Sequence, residues 1–198
     1  MLYEHLGAQP RIHDTAVVAP TAVISGDVEI GPHCQVLHGA VITAEGGPIT
    51  LGEHVIVMEN ALIRATAANA VHIGDHTLVG TLASIAGATV GEEVFFASGA
   101  RVFNGALVGA RCEVRVNAII QRRAVVPEGT VIPIGWVATG DPVQLFSPDQ
   151  ADEIAAAQPE LDFPGHVFGV DRDTPDLMVQ LTERYGSSLA RHAHDRQV

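Results

Sequence analysis

The chain has 198 residues, of which 47% are hydrophobic and only 5% aromatic. Its formal net charge is −12 at pH 7, which argues against a nucleic-acid or anionic-membrane partner, because either requires a basic surface. The length suits one domain with an appendage. Many glycines and few large rings favour a core of stacked Val, Ile and Ala.

The beginning of the sequence predicts no targeting or membrane segment. Residues 1–14 have neither a basic start nor an apolar run. No stretch reaches the roughly 18 uninterrupted apolar residues that a membrane-spanning helix needs. We therefore expect a cytoplasmic protein.

An aliphatic residue recurs every six positions. The period is clearest within residues 71–89, where the aliphatic positions are Ile73, Val79 and Ile85. A small residue follows each one four positions later: Thr77, Ala83 and Thr89. This hexapeptide pattern is typical of a parallel β-helix, in which three short strands form one triangular coil. It runs from Ile12 to Ala138 and predicts an all-β solenoid of about seven coils.

Two pauses interrupt the repeat, at residues 45–48 and 66–71. Each follows the third strand of a coil, so both insertions should emerge at the same corner, one above the other. Loops on a rigid scaffold frequently carry function. A glycine also follows the first aliphatic position in five coils, and we expect unusual backbone angles there. These glycines are Gly31, Gly52, Gly74, Gly91 and Gly109.

Three histidines should stack at one corner, since His33, His54 and His76 each occupy the fourth place of a first-face hexapeptide. The column continues into Glu93 and Arg111. At about 4.8 Å per coil, the histidines could chelate a transition metal. Alternatively, the corner requires a left-handed backbone conformation, which histidine tolerates better than most residues.

The two cysteines, Cys34 and Cys112, should not pair. Both occupy the small fifth place of a hexapeptide, four coils apart, which separates them by about 19 Å. We expect both to be buried and reduced.

The hexapeptides stop after residues 140–142, so we assign residues 1–142 to a β-helix domain and 143–198 to a helical extension. Ser147, Pro148 and Gln150 form a capping-box pattern that predicts a helix ending near Gln158 and Pro159. A loop is expected over residues 161–170.

A second helix should begin near Thr174. It carries one apolar stripe, formed by Leu177, Leu181, Tyr185 and Leu189. We expect this stripe to pack along the solenoid or at a subunit junction, and we expect residues 192–198 to be disordered.

The order of several segments resembles the γ-class carbonic anhydrases and their relatives. These segments are residues 49–52, 57–63, 73–75, 89–91, 131–133 and 140–142. The resemblance covers about residues 10 to 145. It implies a left-handed β-helix, an exception to the usual right-handed crossover, assembled as a homotrimer with active sites between subunits.

In that family three histidines bind zinc or iron. The matching positions here hold Arg64, Thr81 and Ala86, and the family's Arg-Gly-Asp is matched by Thr43, Ala44 and Glu45. These side chains do not make a catalytic zinc site with its usual three protein ligands. We therefore expect no metal or other cofactor at the family site. Zinc remains an alternative only at a relocated site.

Arg64 then becomes the centre of the predicted pocket, with Glu59 and Glu45 near it. Coil stacking predicts one outward column of His38, Glu59, Thr81 and Ser98 and a second of Thr43, Arg64 and Ala86. Arg64 either binds a small carboxylate, bicarbonate-like or phosphate-bearing ligand through its two-pronged geometry, or pairs with Glu59 and seals the subunit junction.

Two histidines are candidate general bases, His72 and His38. His72 and His76 are also the candidate ligands of a relocated metal.

Three functions are compatible with these features. The first is a zinc-free, γ-carbonic-anhydrase-like trimer that acts as a small-anion-binding or assembly module. The second is a CoA-dependent hexapeptide acyltransferase, and the third is a carbonic anhydrase with a relocated metal site. The sequence leaves open whether the protein is an enzyme.

Overall fold

A computed structural model describes residues 1–157 and 164–198. It is a left-handed parallel β-helix with three sheets, followed by a short helical segment. Sheet 1 has ten strands, and sheets 2 and 3 have seven each. The predicted fold class is confirmed.

Sheet 1 contains eight parallel strands, one from each level of the stack. They are β1 (Leu2–Glu4), β4 (Val23–Ser25), β7 (Val41–Glu45), β10 (Leu62–Thr66), β13 (Ser84–Ala86), β16 (Arg101–Val102), β19 (Ile119–Ile120) and β22 (Val137–Thr139). Two antiparallel strands close its ends: β23 (Gln144–Phe146) pairs with β22, and β24 (Arg196–Gln197) pairs with β1.

Sheets 2 and 3 supply the other two sides of each coil. Sheet 2 comprises β2 (Arg11–Ile12), β5 (Val28–Ile30), β8 (Ile49–Leu51), β11 (Val71–Ile73), β14 (Thr89–Val90), β17 (Leu107–Val108) and β20 (Val125–Val126). Sheet 3 comprises β3 (Val17–Val18), β6 (Gln35–Val36), β9 (Ile56–Val57), β12 (Leu78–Val79), β15 (Phe95–Phe96), β18 (Glu113–Val114) and β21 (Val131–Ile132). Seven coils are complete, and β1 begins an eighth.

The hexapeptide period builds the core directly. The aliphatic position of each strand points inward and stacks on its counterpart in the next coil, as Ile42, Ile63 and Ile85 do in sheet 1. All three are fully buried. Burying such a side chain contributes about 1.5–3 kcal/mol, so the ladders stabilise the solenoid along its whole length.

The corner histidines adopt the left-handed backbone conformation. His33, His54 and His76 have φ between +54° and +57°, and Glu93 and Arg111, which continue the column, share it. The rings of His33 and His54 stack at 4.8 Å between centroids, and those of His54 and His76 at 5.0 Å.

The expectation about the neighbouring glycines is wrong, because these residues do not have left-handed φ angles. They are required by close contact between coils instead. A Cβ on Gly31 would lie 2.3 Å from the carbonyl oxygen of Gly52, and a Cβ on Gly52 would lie 2.0 Å from Oδ1 of Asp75.

The two insertions stack at one corner, as predicted. Glu45 and Thr66, which begin them, are register partners on β7 and β10. Below them, His5 and Ala8 form a third tight turn through reciprocal backbone hydrogen bonds. The hexapeptide pattern did not predict β1 or this turn, because both precede the first recognisable hexapeptide.

Both cysteines are buried and free, as expected. The thiol of Cys34 donates to the carbonyl of Gly52 at 3.0 Å, and that of Cys112 donates to the carbonyl of Pro127 at 3.1 Å. Burial raises the pKa of each thiol above its ordinary value.

The predicted helix forms as α1 (Ala151–Ala156), but the predicted serine cap is wrong, because the N-cap is Gln150 and it makes no side-chain cap hydrogen bond. The backbone N–H of Ser147 donates to Oε1 of Gln150 at 2.9 Å in the turn that precedes the helix. The predicted end of this helix, at Gln158 and Pro159, lies outside the described residues, as does the start of the loop expected over residues 161–170. Within that loop, Pro164–Phe168 forms a single π-helical turn.

Helix α2 (Leu177–Leu189) carries the predicted stripe on its covered face. Leu181 is buried and the other stripe residues are half-buried, whereas Met178 and Val179 on the opposite face are exposed. Within the described residues, neither helix has the length and apolar character that crossing a bilayer requires.

The structure differs from the expected disordered tail. Ala190–His194 forms a 3₁₀ turn, and β24 then pairs with β1 through Tyr3 and Gln197. The edge of sheet 1 offers unpaired backbone groups to this segment. Two side-chain hydrogen bonds anchor it further: the carboxylate of Asp195 accepts from His5, and His192 bonds to Glu45.

Candidate functional site

The strand register produces both predicted columns. Arg64 pairs with Thr43 on one side and with Ala86 on the other. In the column that contains Glu59, the hydroxyl of Thr81 donates to Oε2 of Glu59 at 3.5 Å. Within one chain the two columns belong to different faces of the triangle.

The contacts of Arg64 link the solenoid to α2. Its guanidinium carbon lies 5.9 Å from the ring centroid of Tyr185, within cation–π range. Nη2 lies 3.9 Å from Oε1 of Glu45, and Nε is buried without a hydrogen-bond partner. Among the described residues, Glu45 and not Glu59 is the carboxylate within ion-pair distance of Arg64. The predicted pairing of Arg64 with Glu59 therefore does not form within one chain.

A cavity of about 450 Å³ lies between Arg64 and α2, and we call it the arginine pocket. Its described lining residues are Arg64, Thr66, Ala86, Asn104, Phe168, Arg184, Tyr185 and Ser188, which include no carboxylate and no histidine. Nη1 of Arg184 donates to the carbonyls of Phe168 and Gly169 at 3.2 and 2.8 Å. The pocket thus combines two guanidinium groups with hydroxyl and amide groups, a composition suited to an oxyanion.

A second group lies beside it at the stacked turns. We call His5, Glu45, His192 and Asp195 the histidine cluster. The rings of His5 and His192 stack at 4.4 Å with an interplanar angle of 16°. Nδ1 of His5 lies 2.5 Å from Oδ1 of Asp195, and Nδ1 of His192 lies 2.8 Å from Oδ2. On the opposite side of the ring, Nε2 of His192 lies 3.0 Å from Oε2 of Glu45.

Contacts within the histidine cluster shift the pKa values of His192 and Asp195. The hydrogen bond to Asp195 raises the pKa of His192 above its ordinary value; partial burial opposes this increase and Glu45 adds to it. Burial alone would raise the pKa of Asp195, but the hydrogen bonds from His192 and His5 lower it below the usual range. Both shifts favour the charged forms of the pair.

The histidines predicted as general bases or metal ligands are not among the described residues that line the arginine pocket. His38 and His72 are exposed, and their Nδ1 atoms lie 2.8 Å from the hydroxyls of Thr21 and Thr50, respectively. His76 belongs to the corner stack, where its Nε2 lies 3.8 Å from Oε1 of Glu53.

Sequence reasoning missed three members of the histidine cluster: His5, His192 and Asp195. They are separated by almost the whole chain, and no repeat connects them. Among the described residues, they are the one group of three potential metal ligands whose donor atoms all lie within 4.8 Å of one another. A signal was available in the closely spaced His192, His194 and Asp195 near the end of the sequence.

Comparison with known proteins gives several relatives, carbonic anhydrases among them. The chain is 30% identical over 152 residues to mitochondrial gamma carbonic anhydrase 1 of Arabidopsis thaliana, covering 74% of this chain and 53% of that protein. It is 33% identical over 179 residues to the carboxysome assembly protein CcmM of a Nostoc species, covering 83% and 30%. It is 30% identical over 129 residues to a carbonic anhydrase of Geobacillus kaustophilus, covering 65% and 61%.

Solved structures agree in fold. A Bacillus cereus protein provisionally assigned as an acetyltransferase superposes with a TM-score of 0.55 at 17% identity over 98% of both chains. A hexapeptide transferase family protein of Anaplasma phagocytophilum gives a TM-score of 0.53 at 17% identity over 96% of both. At this identity the likeness concerns the fold alone.

The fold therefore defines a hexapeptide-repeat protein with a left-handed β-helix. No protein-family model matches the chain. The curated relatives agree with the fold: the chain resembles the γ-carbonic anhydrases, and a left-handed solenoid fits that family. It spans about half the length of the Arabidopsis relative and 30% of the length of CcmM.

Proposed function

We propose that this γ-carbonic-anhydrase-like protein is a homotrimeric module that binds a small oxyanion at Arg64. The observation that carries the proposal is the arginine pocket, in which Nε of Arg64 is buried without a partner and the described lining residues include no carboxylate. A bound carboxylate, bicarbonate or phosphate would accept from this N–H and from the adjacent guanidinium nitrogens. Hydrogen bonds of this charge-assisted kind are worth about 1.5–3 kcal/mol each.

The donor set at the family's metal positions supports anion binding over zinc chemistry. Arg64 offers no lone pair, Ala86 offers no ligand atom, and Thr81 shares its hydroxyl with Glu59. Zinc is held by Cys, His and carboxylate ligands, so these three side chains do not fit it. We derive no metal-dependent step at this position.

The proposed trimer rests on the outward face of sheet 3. Val17, Phe95 and Val131 stand in one outward column with 57%, 43% and 43% of their surfaces exposed. Ile56 and Leu78 lie between Val17 and Phe95 and are only half-buried, and Gln35 and Glu113 are the polar members of the same column. Covering this stripe with two further copies of the chain would remove the apolar surface from water. The Glu59 and Thr81 column of one subunit would then complete the Arg64 pocket of another.

A second candidate function is assembly of a larger complex. It is favoured by the 33% identity with a protein named for carboxysome assembly. In this case the trimer would serve as a scaffold, and the anion would regulate or stabilise it.

The test is calorimetric titration of the tag-free chain with bicarbonate, phosphate, acetate and acetyl-CoA. We expect one oxyanion site per chain that is lost in Arg64→Ala and kept in Arg101→Ala. Arg101 provides the matched control because it is exposed on the same sheet and is not among the described lining residues. Binding of acetyl-CoA alone, unaffected by Arg64→Ala, would instead favour the acyltransferase alternative.

Hydration of CO2 is assayed in parallel. The proposal would be contradicted if wild type and Arg64→Ala hydrated CO2 at the same measurable rate and neither of them bound an oxyanion. Such a result would favour a carbonic anhydrase with a relocated metal.

A further inference from the structure

The histidine cluster joins the two ends of the described chain. His5 follows β1 and is buried, with 2% of its surface exposed. His192 lies on the 3₁₀ turn, and Asp195 directly precedes β24. Glu45 comes from the end of β7, where the first insertion begins. Four side chains with metal-ligating atoms thus meet at one corner of the first coils.

Asp195 fixes which nitrogen of each ring carries a proton. An ionised carboxylate only accepts hydrogen bonds, and it receives Nδ1–H of His5 at 2.5 Å and Nδ1–H of His192 at 2.8 Å. Nε2 of neutral His5 then carries a lone pair, whereas Nε2 of His192 faces the carboxylate of Glu45 and donates its own proton to it. A bound metal ion would replace that proton, and both Nε2 atoms could then act as ligands on the far side of the rings.

Both Nε2 atoms face a second carboxylate. Oε2 of Glu45 lies 3.0 Å from Nε2 of His192 and 4.0 Å from Nε2 of His5. Nε2 of His5 is buried and has no hydrogen-bond partner. Acceptors that converge on one another in this way need a shared proton or a cation between them.

The local charge balance requires two positive charges. Two carboxylates, with 12% and 16% of their side chains exposed, lie in contact with the two histidine rings. One positive charge is that of Arg64, whose Nη2 is 3.9 Å from Oε1 of Glu45. The second is either the proton on His192 or a metal ion that takes its place.

We propose that the histidine cluster is a zinc-type metal site in which His5 Nε2, His192 Nε2 and Glu45 bind the ion. Asp195 orients both rings from behind, an arrangement that recurs at histidine metal sites. Imidazole and carboxylate are ordinary zinc ligands, and three protein ligands leave the fourth position for water. The site is distinct from the family's metal positions at Arg64, Thr81 and Ala86.

The distances are close to what the ion requires. Ligand atoms bound tetrahedrally to zinc at about 2.0–2.1 Å are separated by about 3.3 Å. The observed separations from Glu45, 3.0 and 4.0 Å, lie on either side of that value. Because the rings are nearly parallel, binding requires one of them to tilt. His192 is the ring that can do so, since about a third of its side chain is exposed.

The test is zinc titration of the full, tag-free chain after EDTA treatment, followed by calorimetry, with Co2+ absorption as a second readout. We expect one Zn2+ per chain, tetrahedral Co2+ bands, and loss of both in His192→Ala. Asp195→Asn should lower the affinity about 10- to 100-fold, as expected for a positioning carboxylate. Both variants change partly exposed residues, so circular dichroism can verify that they fold; His5→Ala is avoided because His5 is buried.

His54→Ala is the matched control, because His54 lies in the exposed corner stack, which also presents adjacent histidine rings. Zinc binding that survives in His192→Ala but disappears in His54→Ala would overturn the proposal, as would the absence of zinc binding by wild type. The inference does not depend on the proposed function. Arg64→Ala removes the proposed anion ligand but none of the metal ligands, so the two proposals fail separately.

Discussion

The guanidinium of Arg64 on β10 lies over the ring of Tyr185 on α2, with 5.9 Å between the guanidinium carbon and the ring centroid. The edge of the same Tyr185 ring contacts Phe168, with 5.2 Å between centroids. One side chain of the solenoid thereby helps to hold the helix that closes the arginine pocket.

Arg64→Ala should loosen α2 without unfolding the solenoid. A cation–π contact at a partly exposed site contributes about 0.5–1 kcal/mol, which corresponds to roughly two- to fivefold faster amide exchange. Hydrogen exchange of residues 177–189, measured by mass spectrometry, checks this expectation. Unchanged exchange in α2 would mean that Arg64 does not hold the helix.

Phe95→Glu should dissociate the proposed trimer, because it places a second carboxylate beside Glu113 and among the apolar residues of the outward column of sheet 3. Light scattering should give the mass of a monomer for this variant and of a trimer for wild type. Leu107→Glu is the control, since Leu107 is similarly exposed, at 48%, but lies on sheet 2. Equal effects of both variants would indicate general destabilisation and not a specific interface.

Ile85→Ala should strongly destabilise the solenoid. Ile85 is fully buried in the sheet 1 ladder, and removal of a buried isoleucine side chain costs about 2–5 kcal/mol. Ile134→Ala makes the same chemical change at a residue that is 64% exposed, and should change stability by no more than about 0.5 kcal/mol. Urea unfolding followed by circular dichroism compares the two.

His54→Val should lower stability by about 1–2 kcal/mol, because a β-branched residue is poorly accommodated at φ +54°. His54→Asn should be nearly neutral, since asparagine tolerates this conformation. Thermal unfolding distinguishes the two variants. If they were equally destabilising, ring stacking with His33 and His76 would matter more than backbone conformation.

The two cysteines should react slowly with an aromatic disulfide reagent at pH 8. Their raised pKa values reduce the thiolate fraction, and burial blocks access to both sulfurs. In guanidinium chloride both should react at the rate of an ordinary thiol. Rapid labelling of the native protein would show that the coils open locally around Cys34 or Cys112.

The hexapeptide period made the solenoid predictable, because a buried position repeated every six residues has few other structural solutions. Stacking then placed distant residues correctly: Arg64 beside Thr43 and Ala86, and the three histidines at one left-handed corner. The same pattern gave the wrong reason for the glycines next to that corner. A glycine at a repeated position can be required by close contact between coils or by a left-handed φ angle, and periodicity alone does not distinguish the two.

The histidine cluster could not be predicted in this way. His5, His192 and Asp195 lie outside the repeat, so no stacking rule relates them to Glu45. Their meeting depends on the antiparallel pairing of β24 with β1, which involves two short strands at opposite ends of the sequence. Glu59 and Glu45 were both expected near Arg64, but the repeat could not show that Glu45 is the partner within one chain, because the geometry of the stacked turns brings Glu45 toward Arg64.

The antiparallel strands at the two ends of sheet 1 have a consequence for self-association. A parallel β-helix ends in open coils, and each could template the next molecule into a growing fibre. β24 covers one end of sheet 1 and β23 covers the other, and both run against the direction of the stack. An incoming coil would meet a strand of the wrong polarity, so linear polymerisation along this sheet is blocked at both ends.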